Sequence, residues 1–145
     1  MGVGSFGPID PVKGSETYGY ITKTPKPYWS DFNMIGELKK HFDVPMEFDT
    51  DVNGAALAEA WWGAGEGLKN VMYITVGTGI GAGAVVNGRM VQGLTHPEMG
   101  HIFIKRHKDD KFEGRCPFHK DCLEGMAAGP AIEARWNKKG IELAD

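Results

Sequence analysis

The sequence predicts an α/β protein, and three observations carry this prediction. Apolar residues at helical spacing alternate along the chain with short runs rich in valine and isoleucine, which is the pattern of an α/β fold. Hydrophobic residues make up 41% of the 145 positions and charged residues 24%, as expected for a soluble globular protein. Glycine occurs 21 times, which indicates many positions with unusual backbone geometry.

The bulk properties exclude several classes of function. A net charge of −3 without a cluster of lysine and arginine gives no basis for binding nucleic acid. No apolar run approaches the roughly 20 residues that a membrane-spanning helix needs. The first ten residues lack the basic-then-apolar layout of a signal peptide, and the two cysteines flank a histidine as metal ligands do. We therefore expect a cytoplasmic protein without membrane or nucleic-acid partners.

The first half of the chain alternates between extended pieces and helices, each bounded by turn or capping residues. The predicted elements are short extended pieces over residues 1–29, a helix capped by Ser30 and Asp31 that runs to about Phe42, a strand over residues 44–48, and an alanine-rich helix that opens at Asn53 and ends at Gly63.

The second half begins with strands of continuous apolar character and ends in a helix. The predicted elements are a strand over residues 71–76, its hairpin partner over 82–86, a two-residue turn at Asn87–Gly88, a third strand over 89–93, and a helix over 131–139. The change of pattern near residues 67–70 predicts a lobe boundary, which divides the chain into segments 1–68 and 69–145.

The strongest chemical signal is a cluster of cysteine and histidine. Cys116, His119 and Cys122 form a C-x2-H-x2-C run that offers three ligands to a tetrahedral ion such as zinc. The fourth ligand has to come from upstream, where His96, His101 and His107 are available. The spacing therefore predicts a structural zinc site and leaves its fourth ligand open.

A second candidate site is a row of glycines that includes Gly77, Gly79 and Gly83. Glycines inside a strand pattern indicate a bulge or a backbone that something else approaches closely. With the hydroxyl of Thr78 nearby, one interpretation is a phosphate held by backbone N–H groups. The other is a tight hairpin whose packing requires small residues.

Acidic residues mark a third candidate site, at the junction of the predicted strand and the alanine-rich helix. Open α/β sheets bind ligands at the carboxyl ends of strands, so Asp51 is a candidate general base. Asp49 or Asn53 is then a candidate helix cap, although both acids would also suit caps or turns. Glu98 and His101 form an E-x-x-H pair that can hydrogen-bond a polyhydroxy ligand.

Three tryptophans allow a choice between ligand binding and packing. Trp29, Trp61 and Trp62 can stack on sugar or base rings, but such aromatic residues more often belong to a core or an interface.

Several of these motifs together resemble the ROK family of sugar kinases (repressor, open reading frame, kinase). The resemblance rests on DTDVNGAALAEAWWGAG, YITVGTGIGAGAVVNGRMVQG, HPEMGH and CPFHKDCLEGMAAGPAI, and on GSFGPID and TPKPYW, which are typical of the bacterial fructokinase branch. It implies parts of two lobes of an actin-like ATPase (ribonuclease H-like) fold that close over ATP and a hexose. It also implies a hexose substrate, with fructose favoured, Mg²⁺ that arrives with ATP, and a homo-oligomer.

The resemblance also implies roles for individual residues. It makes Asp51 the general base that accepts the proton of the sugar hydroxyl, and it places Thr50, Glu98, His101 and Glu124 on the sugar. Gly77, Thr78 and Gly79 match a motif that faces the phosphates of ATP. The resemblance selects His101, Cys116, His119 and Cys122 as the ligands of a structural Zn²⁺, with His107 as the alternative to His101.

One feature of these kinases, a D-x-G-G-T phosphate-binding hairpin, does not occur in the sequence. We therefore expect the chain to correspond to the middle of a kinase, to self-associate through unpaired sheet edges, and to have little kinase activity in isolation. The alternative function is that of a non-catalytic, zinc-stabilised hexose-binding or regulatory module of the same family.

Overall fold

The computed structural model describes residues 1–143, which form two compact units. Unit 1 comprises Met1–Tyr73 and Gly83–Pro97, and unit 2 comprises Ile74–Ala82 and the described residues from Glu98 onward. The predicted lobes, 1–68 and 69–145, concern the kinase fold that the resemblance implies, and that division stays a prediction.

The chain contains both helices and strands, which agrees with the predicted α/β class. In chain order they are β1 (Gly2–Ser5), β2 (Tyr20–Ile21), β3 (Phe32–Asn33), α1 (Met34–Lys39), β4 (Glu47–Thr50), α2 (Asp51–Trp62), β5 (Asn70–Val76), β6 (Ile80–Val86), β7 (Arg89–Met90), α3 (Leu123–Ala127) and α4 (Gly129–Trp136), with 3-10 helices at Met99–His101 and Gly140–Glu142.

Unit 1 is built around a parallel pair of strands and a small apolar core. Strands β1 and β4 run parallel, with Ser5 opposite Thr50 at their carboxyl ends. Strands β2 and β3 form a separate antiparallel pair. The buried core consists of Ile9, Ile21, Ile35, Met46 and Phe48. This core includes Phe48 of β4, the strand that leads directly into α2.

Helix α1 is shorter than predicted and has a different cap. Asp31 adopts a left-handed conformation with φ 57°, and Phe32 pairs with Ile21 in a strand, so neither continues a helix from Ser30. The side chain of Asn33 accepts a hydrogen bond from the backbone N–H of Gly36 at 2.7 Å and caps the helix. The predicted cap at Ser30–Asp31 is therefore wrong.

Helix α2 starts two residues earlier than predicted, at Asp51. Its cap is Thr50, whose hydroxyl accepts a hydrogen bond from the backbone N–H of Asn53 at 3.2 Å. Asn53 therefore lies inside the first turn, and neither Asn53 nor Asp49 is the N-cap. Strand β4 correspondingly extends to Thr50, beyond the predicted end at residue 48.

The β5–β6 hairpin and its neighbour β7 follow the predicted order. Asn87 and Gly88 have φ of 50° and 76°, the left-handed pair that a two-residue I′ turn requires. The third strand is shorter than predicted and covers only Arg89–Met90. Strand β5 is at the edge of this sheet and exposes Met72, Ile74 and Val76, while self-association through such an edge stays a prediction.

Gly83 permits strand β6 to lie directly against the first turn of α2. A Cβ at this position would lie 2.2 Å from the carbonyl oxygen of Val52 and 2.7 Å from the nitrogen of Asn53. Both atoms belong to the backbone, so the contact cannot be relieved by a change of rotamer.

We expect Gly83→Ala to lower the free energy of unfolding by about 1–3 kcal/mol, because the new methyl group overpacks this contact. The matched control is Gly54→Ala in α2, where an added Cβ meets nothing within 4 Å. That substitution should raise stability by about 0.5–1 kcal/mol, since alanine is the better helix former. Urea denaturation of the two variants measures both effects, and equal effects would contradict the close approach at Gly83.

Unit 2 joins two short helices to the turn between β5 and β6. Ala128 ends α3 and Pro130 is in the first turn of α4. The backbone N–H of Gly129 donates to the carbonyl oxygen of Gly77 at 2.7 Å. Helix α4 ends at Asn137, which has a left-handed φ of 52°. Within residues 1–143 the structure contains no helix that is both long and apolar enough to cross a membrane.

Candidate functional site

Asp51 presents a carboxylate at the point where β4 ends and α2 begins. The residue is exposed, and its Oδ1 atom accepts a hydrogen bond from the backbone N–H of Val52 at 2.9 Å. Within residues 1–143 no side chain donates a hydrogen bond to Asp51, so its carboxylate can accept a proton from a bound molecule.

Asp49, two residues before Asp51, accepts three hydrogen bonds through its carboxylate. Its Oδ1 atom accepts hydrogen bonds from the backbone N–H of Thr50 at 2.7 Å and from Asn53 Nδ2 at 2.8 Å. Its Oδ2 atom accepts from Gln92 Nε2 at 2.9 Å. Of the two acids, Asp49 is thus held by three hydrogen bonds, whereas Asp51 is exposed and accepts one, from the backbone.

Thr50 lies between these acids and is buried. Its hydroxyl caps α2, and its Oγ1 atom also lies 3.4 Å from His96 Nδ1. Because Oγ1 accepts the Asn53 N–H, the hydroxyl hydrogen is available to His96. The contact of Thr50 with sugar stays a prediction.

In unit 2, the backbone of Ile80 contacts both the segment Glu98–His101, which has the pattern E-x-G-H, and helix α3. The N–H of Ile80 donates to Glu124 Oε2 at 2.9 Å, while its carbonyl oxygen lies against Gly100, where a Cβ would be only 1.8 Å away. Glu124 Oε1 consequently lies 4.0 Å from His101 Nδ1. Glu98 precedes the 3-10 helix and is exposed, and its carbonyl oxygen accepts from the N–H of His101 at 3.0 Å.

Four side chains of unit 2 converge so that they could hold a metal ion. The ligand atoms of His101, Cys116, His119 and Cys122 all lie within 4.8 Å of one another. His101 Nδ1 is 3.7 Å from Cys116 Sγ and 3.5 Å from Cys122 Sγ, and His119 Nδ1 is 3.9 Å from Cys116 Sγ. Tetrahedral zinc with Zn–S of about 2.3 Å and Zn–N of about 2.0 Å separates its ligand atoms by about 3.5 Å. The cluster is therefore compatible with zinc, which stays a prediction.

His107, the alternative fourth ligand, lies outside this cluster. Its side chain is exposed and faces Asp109, with its Nδ1 atom 3.6 Å from Asp109 Oδ2. His101 is brought to the cysteines because it ends the 3-10 helix beside Ile80. The geometry thus favours the ligand set that the resemblance implies.

The turn that carries the last three ligands depends on close backbone contacts. Cys116 and Lys120 exchange backbone hydrogen bonds, and the N–H of His119 donates to Cys116 Sγ at 3.4 Å. A Cβ on Gly125 would lie 1.8 Å from the carbonyl oxygen of Lys120, which explains the glycine there. Burial raises the pKa of the Cys122 thiol above its ordinary value, so metal binding has to offset the cost of forming a thiolate.

The glycine row separates into two roles. Gly79 is a packing position, because an added Cβ would lie 2.7 Å from Glu124 Oε2. Gly77 has nothing within 4 Å of such an atom and is exposed beside Thr78. Gly77 and Thr78 line a cavity of about 400 Å³ together with the start of α4 and Lys139. The contact of this exposed turn with phosphate stays a prediction.

The three candidate tryptophans lie in different environments. Trp29 packs edge-on against Phe6 and Phe32, with ring centroids 5.6 Å and 5.2 Å away. Trp61 and Trp62 contact each other at 5.4 Å and are both exposed. Trp29 therefore packs within unit 1, while the role of Trp61 and Trp62 stays open between ligand binding and an interface.

Sequence comparison decides the family. The profile of the ROK family matches residues 1–145. The chain belongs to the ROK family. A relative from Bacillus subtilis (strain 168) is 57% identical over 145 residues, which are 100% of this chain and 48% of that relative. A relative from Lactococcus lactis subsp. cremoris named fructokinase is 55% identical over 145 residues, which cover 99% of this chain and 49% of the relative.

Solved ROK structures agree with this assignment. A ROK family glucokinase from Streptomyces griseus, crystallised with glucose and AMPPNP, is 26% identical and superposes with a TM-score of 0.67. The match covers 90% of this chain and 40% of the glucokinase. The fold is therefore that of the ROK sugar kinases, an actin-like ATPase fold. The chain spans about half the length of the curated relatives it matches.

Proposed function

We propose that the protein to which these residues belong transfers the γ-phosphoryl group of ATP to a hexose, and that fructose is converted to fructose 6-phosphate. The observation that carries the proposal is the exposed carboxylate of Asp51 at the first turn of α2, beside the fully engaged Asp49. The similarity to a relative named fructokinase supports the choice of sugar.

Asp51 is the proposed general base. It accepts the proton of the hexose hydroxyl as that oxygen attacks the γ-phosphorus, and the bond from phosphorus to the leaving oxygen of ADP breaks. Such transfers depend mainly on positioning and on neutralising charge. The hydrogen bonds of Asp49 to Thr50, Asn53 and Gln92 hold the strand end in place.

Glu98, His101 and Glu124 are the proposed sugar-binding residues, with Thr50 as a further candidate. Carboxylates and imidazoles orient a polyhydroxy ligand because they form directional hydrogen bonds with its hydroxyl groups. The hydrogen bond from Ile80 to Glu124 Oε2 leaves Glu124 Oε1 to face His101. This arrangement supports a shared role for the two side chains.

Zn²⁺ is the proposed structural ion, held by His101, Cys116, His119 and Cys122. When bound, this ion would cross-link the segment Glu98–His101 to the turn that precedes α3. Helix α3 carries Glu124. Gly77, Thr78 and Gly79 are the proposed phosphate contacts, with Mg²⁺ accompanying ATP. The exposure of Gly77 and Thr78 and the hydroxyl of Thr78 support this role.

A chimaera tests the function in a complete enzyme. The 145 residues replace the matching segment of the Lactococcus lactis fructokinase, and initial rates with ATP and Mg²⁺ are measured for fructose, glucose and mannose. We expect the highest kcat/KM with fructose. A folded chimaera that prefers glucose would contradict the proposed substrate but not the proposed reaction.

The regulatory alternative has its own outcome in the same experiment. A solved ROK family transcriptional regulator is 28% identical and superposes with a TM-score of 0.60, so the fold also occurs in regulators. A folded chimaera that binds hexose in calorimetry but turns over none of the three sugars would favour the non-catalytic module.

A further inference from the structure

A network of charged side chains holds the long loop between the first two proposed zinc ligands. His101 and Cys116 are separated by residues 102–115, in which the only strand-like contact among described residues is the bridge between Phe103 and Cys122. A loop of this kind loses conformational entropy when its ends are brought to one metal ion. Contacts that order the loop in advance reduce that cost.

Asp110 and Arg135 form the main contact of this network. Arg135 Nη1 donates to Asp110 Oδ1 at 3.1 Å, and Nη2 donates to Asp110 Oδ2 at 2.9 Å. This is the bidentate geometry in which guanidinium and carboxylate interact most strongly. Both side chains are only 22% exposed, so water screens the pair less than an ordinary surface ion pair. The pKa of Asp110 is lowered to about 2, mainly by the hydrogen bond from Arg135.

Arg135 is itself held in place from two further directions. Its Nε atom donates to the carbonyl oxygen of Met126 at 3.3 Å, which ties α4 to α3. Its guanidinium carbon lies 4.2 Å from the centre of the Phe112 ring, a cation–π contact. The loop therefore docks onto α4 through Arg135, which is in turn hydrogen-bonded to α3, the helix that carries Glu124.

Arg106 completes the network inside the loop. Its Nη2 atom donates to the carbonyl oxygens of Asp110 and Phe112, and its Nη1 atom lies 3.5 Å from Asp121 Oδ2. Asp121 directly precedes the ligand Cys122. The network thus links the middle of the loop to the turn that carries the other ligands.

We propose that Asp110 and Arg135 are positioning residues of the metal site, which preorganise residues 102–115 so that His101 reaches the three ligands of the following turn. The inference rests on the proposed zinc site. It assigns part of the zinc affinity to a salt bridge that contacts neither the ion nor its ligands.

The test measures zinc affinity in the 145-residue chain by competition with a chromogenic chelator. Asp110→Asn should raise the Kd for Zn²⁺ by roughly tenfold, the factor that a hydrogen bond to a charged group contributes. The matched control is Asp109→Asn, because Asp109 is the adjacent aspartate but is exposed and faces only His107. Its Kd should stay within about twofold of wild type.

A double-mutant cycle separates positioning from a general loss of structure. Asp110→Asn should have little further effect in an Arg135→Gln background, and Arg135→Lys should recover part of the affinity. Circular dichroism of each metal-free variant checks that the folds are equal. Equal zinc affinity of the Asp110 and Asp109 variants, or additive effects in the cycle, would overturn the inference alone. A folded wild-type chain that binds no zinc would overturn the metal site as well.

Discussion

Asp51→Asn in the chimaera should reduce kcat for fructose by about a thousandfold, within the 10²–10⁴ range that a general base contributes. The amide keeps the size of the side chain and can still cover the first turn of α2, but it cannot accept the proton of the sugar hydroxyl. KM for fructose should change much less than kcat, because the lost interaction develops only in the transition state. Steady-state kinetics with ATP and Mg²⁺ measure both parameters.

Two other aspartates provide the controls. Asp43→Asn changes an exposed residue between α1 and β4 and should leave kcat unchanged. Asp49→Asn should act mainly on stability, because Asp49 accepts hydrogen bonds from Thr50, Asn53 and Gln92. An Asp51→Asn chimaera with the kcat of its parent would rule out the proposed base.

His119→Asn should abolish tight zinc binding and lower the melting temperature of the chain by about 10 °C or more, since each lost kcal/mol costs several degrees in a domain of this size. His119 is the exposed member of the cluster, so its replacement leaves the buried cysteines in place. The turn then loses the ion that would cross-link it to His101, and metal binding contributes directly to folding energy in such sites. Metal analysis and thermal unfolding, each with and without a chelator, measure the two effects.

His107→Asn is the matched control for this prediction. His107 satisfied the same sequence spacing as His101, but it is exposed and lies beside Asp109. The variant should keep one zinc per chain and the wild-type melting temperature. Loss of zinc from the His107 variant, with retention in the His119 variant, would contradict the ligand set.

The comparison of sequence and structure shows which features local patterns determine. Asn87–Gly88 fixes its own turn, because both residues readily adopt positive φ, and this prediction was correct. The start of α2 was misplaced by two residues because Thr50, Asp51 and Asn53 all suit helix N-termini. Asp49, the other candidate for the helix cap, instead accepts a hydrogen bond from Gln92, which lies 43 residues further along the chain.

The metal cluster illustrates the same limit. The spacing of Cys116, His119 and Cys122 predicts three ligands from one turn, but it cannot distinguish His101 from His107. That choice depends on Gly100, whose missing side chain lets the 3-10 helix lie against the carbonyl of Ile80. The pair of Asp110 and Arg135 was not predicted either, because nothing in the sequence near each residue points to a partner 25 positions away.

Phosphorus NMR of the chimaera incubated with ATP, Mg²⁺ and fructose gives the clearest test of the proposed function, with the Asp51→Asn chimaera run in parallel. We predict that fructose 6-phosphate accumulates with the parent chimaera and remains near background with the variant. A folded parent chimaera that leaves ATP and fructose unchanged, or an Asp51→Asn variant that forms product at the parental rate, would contradict the proposal.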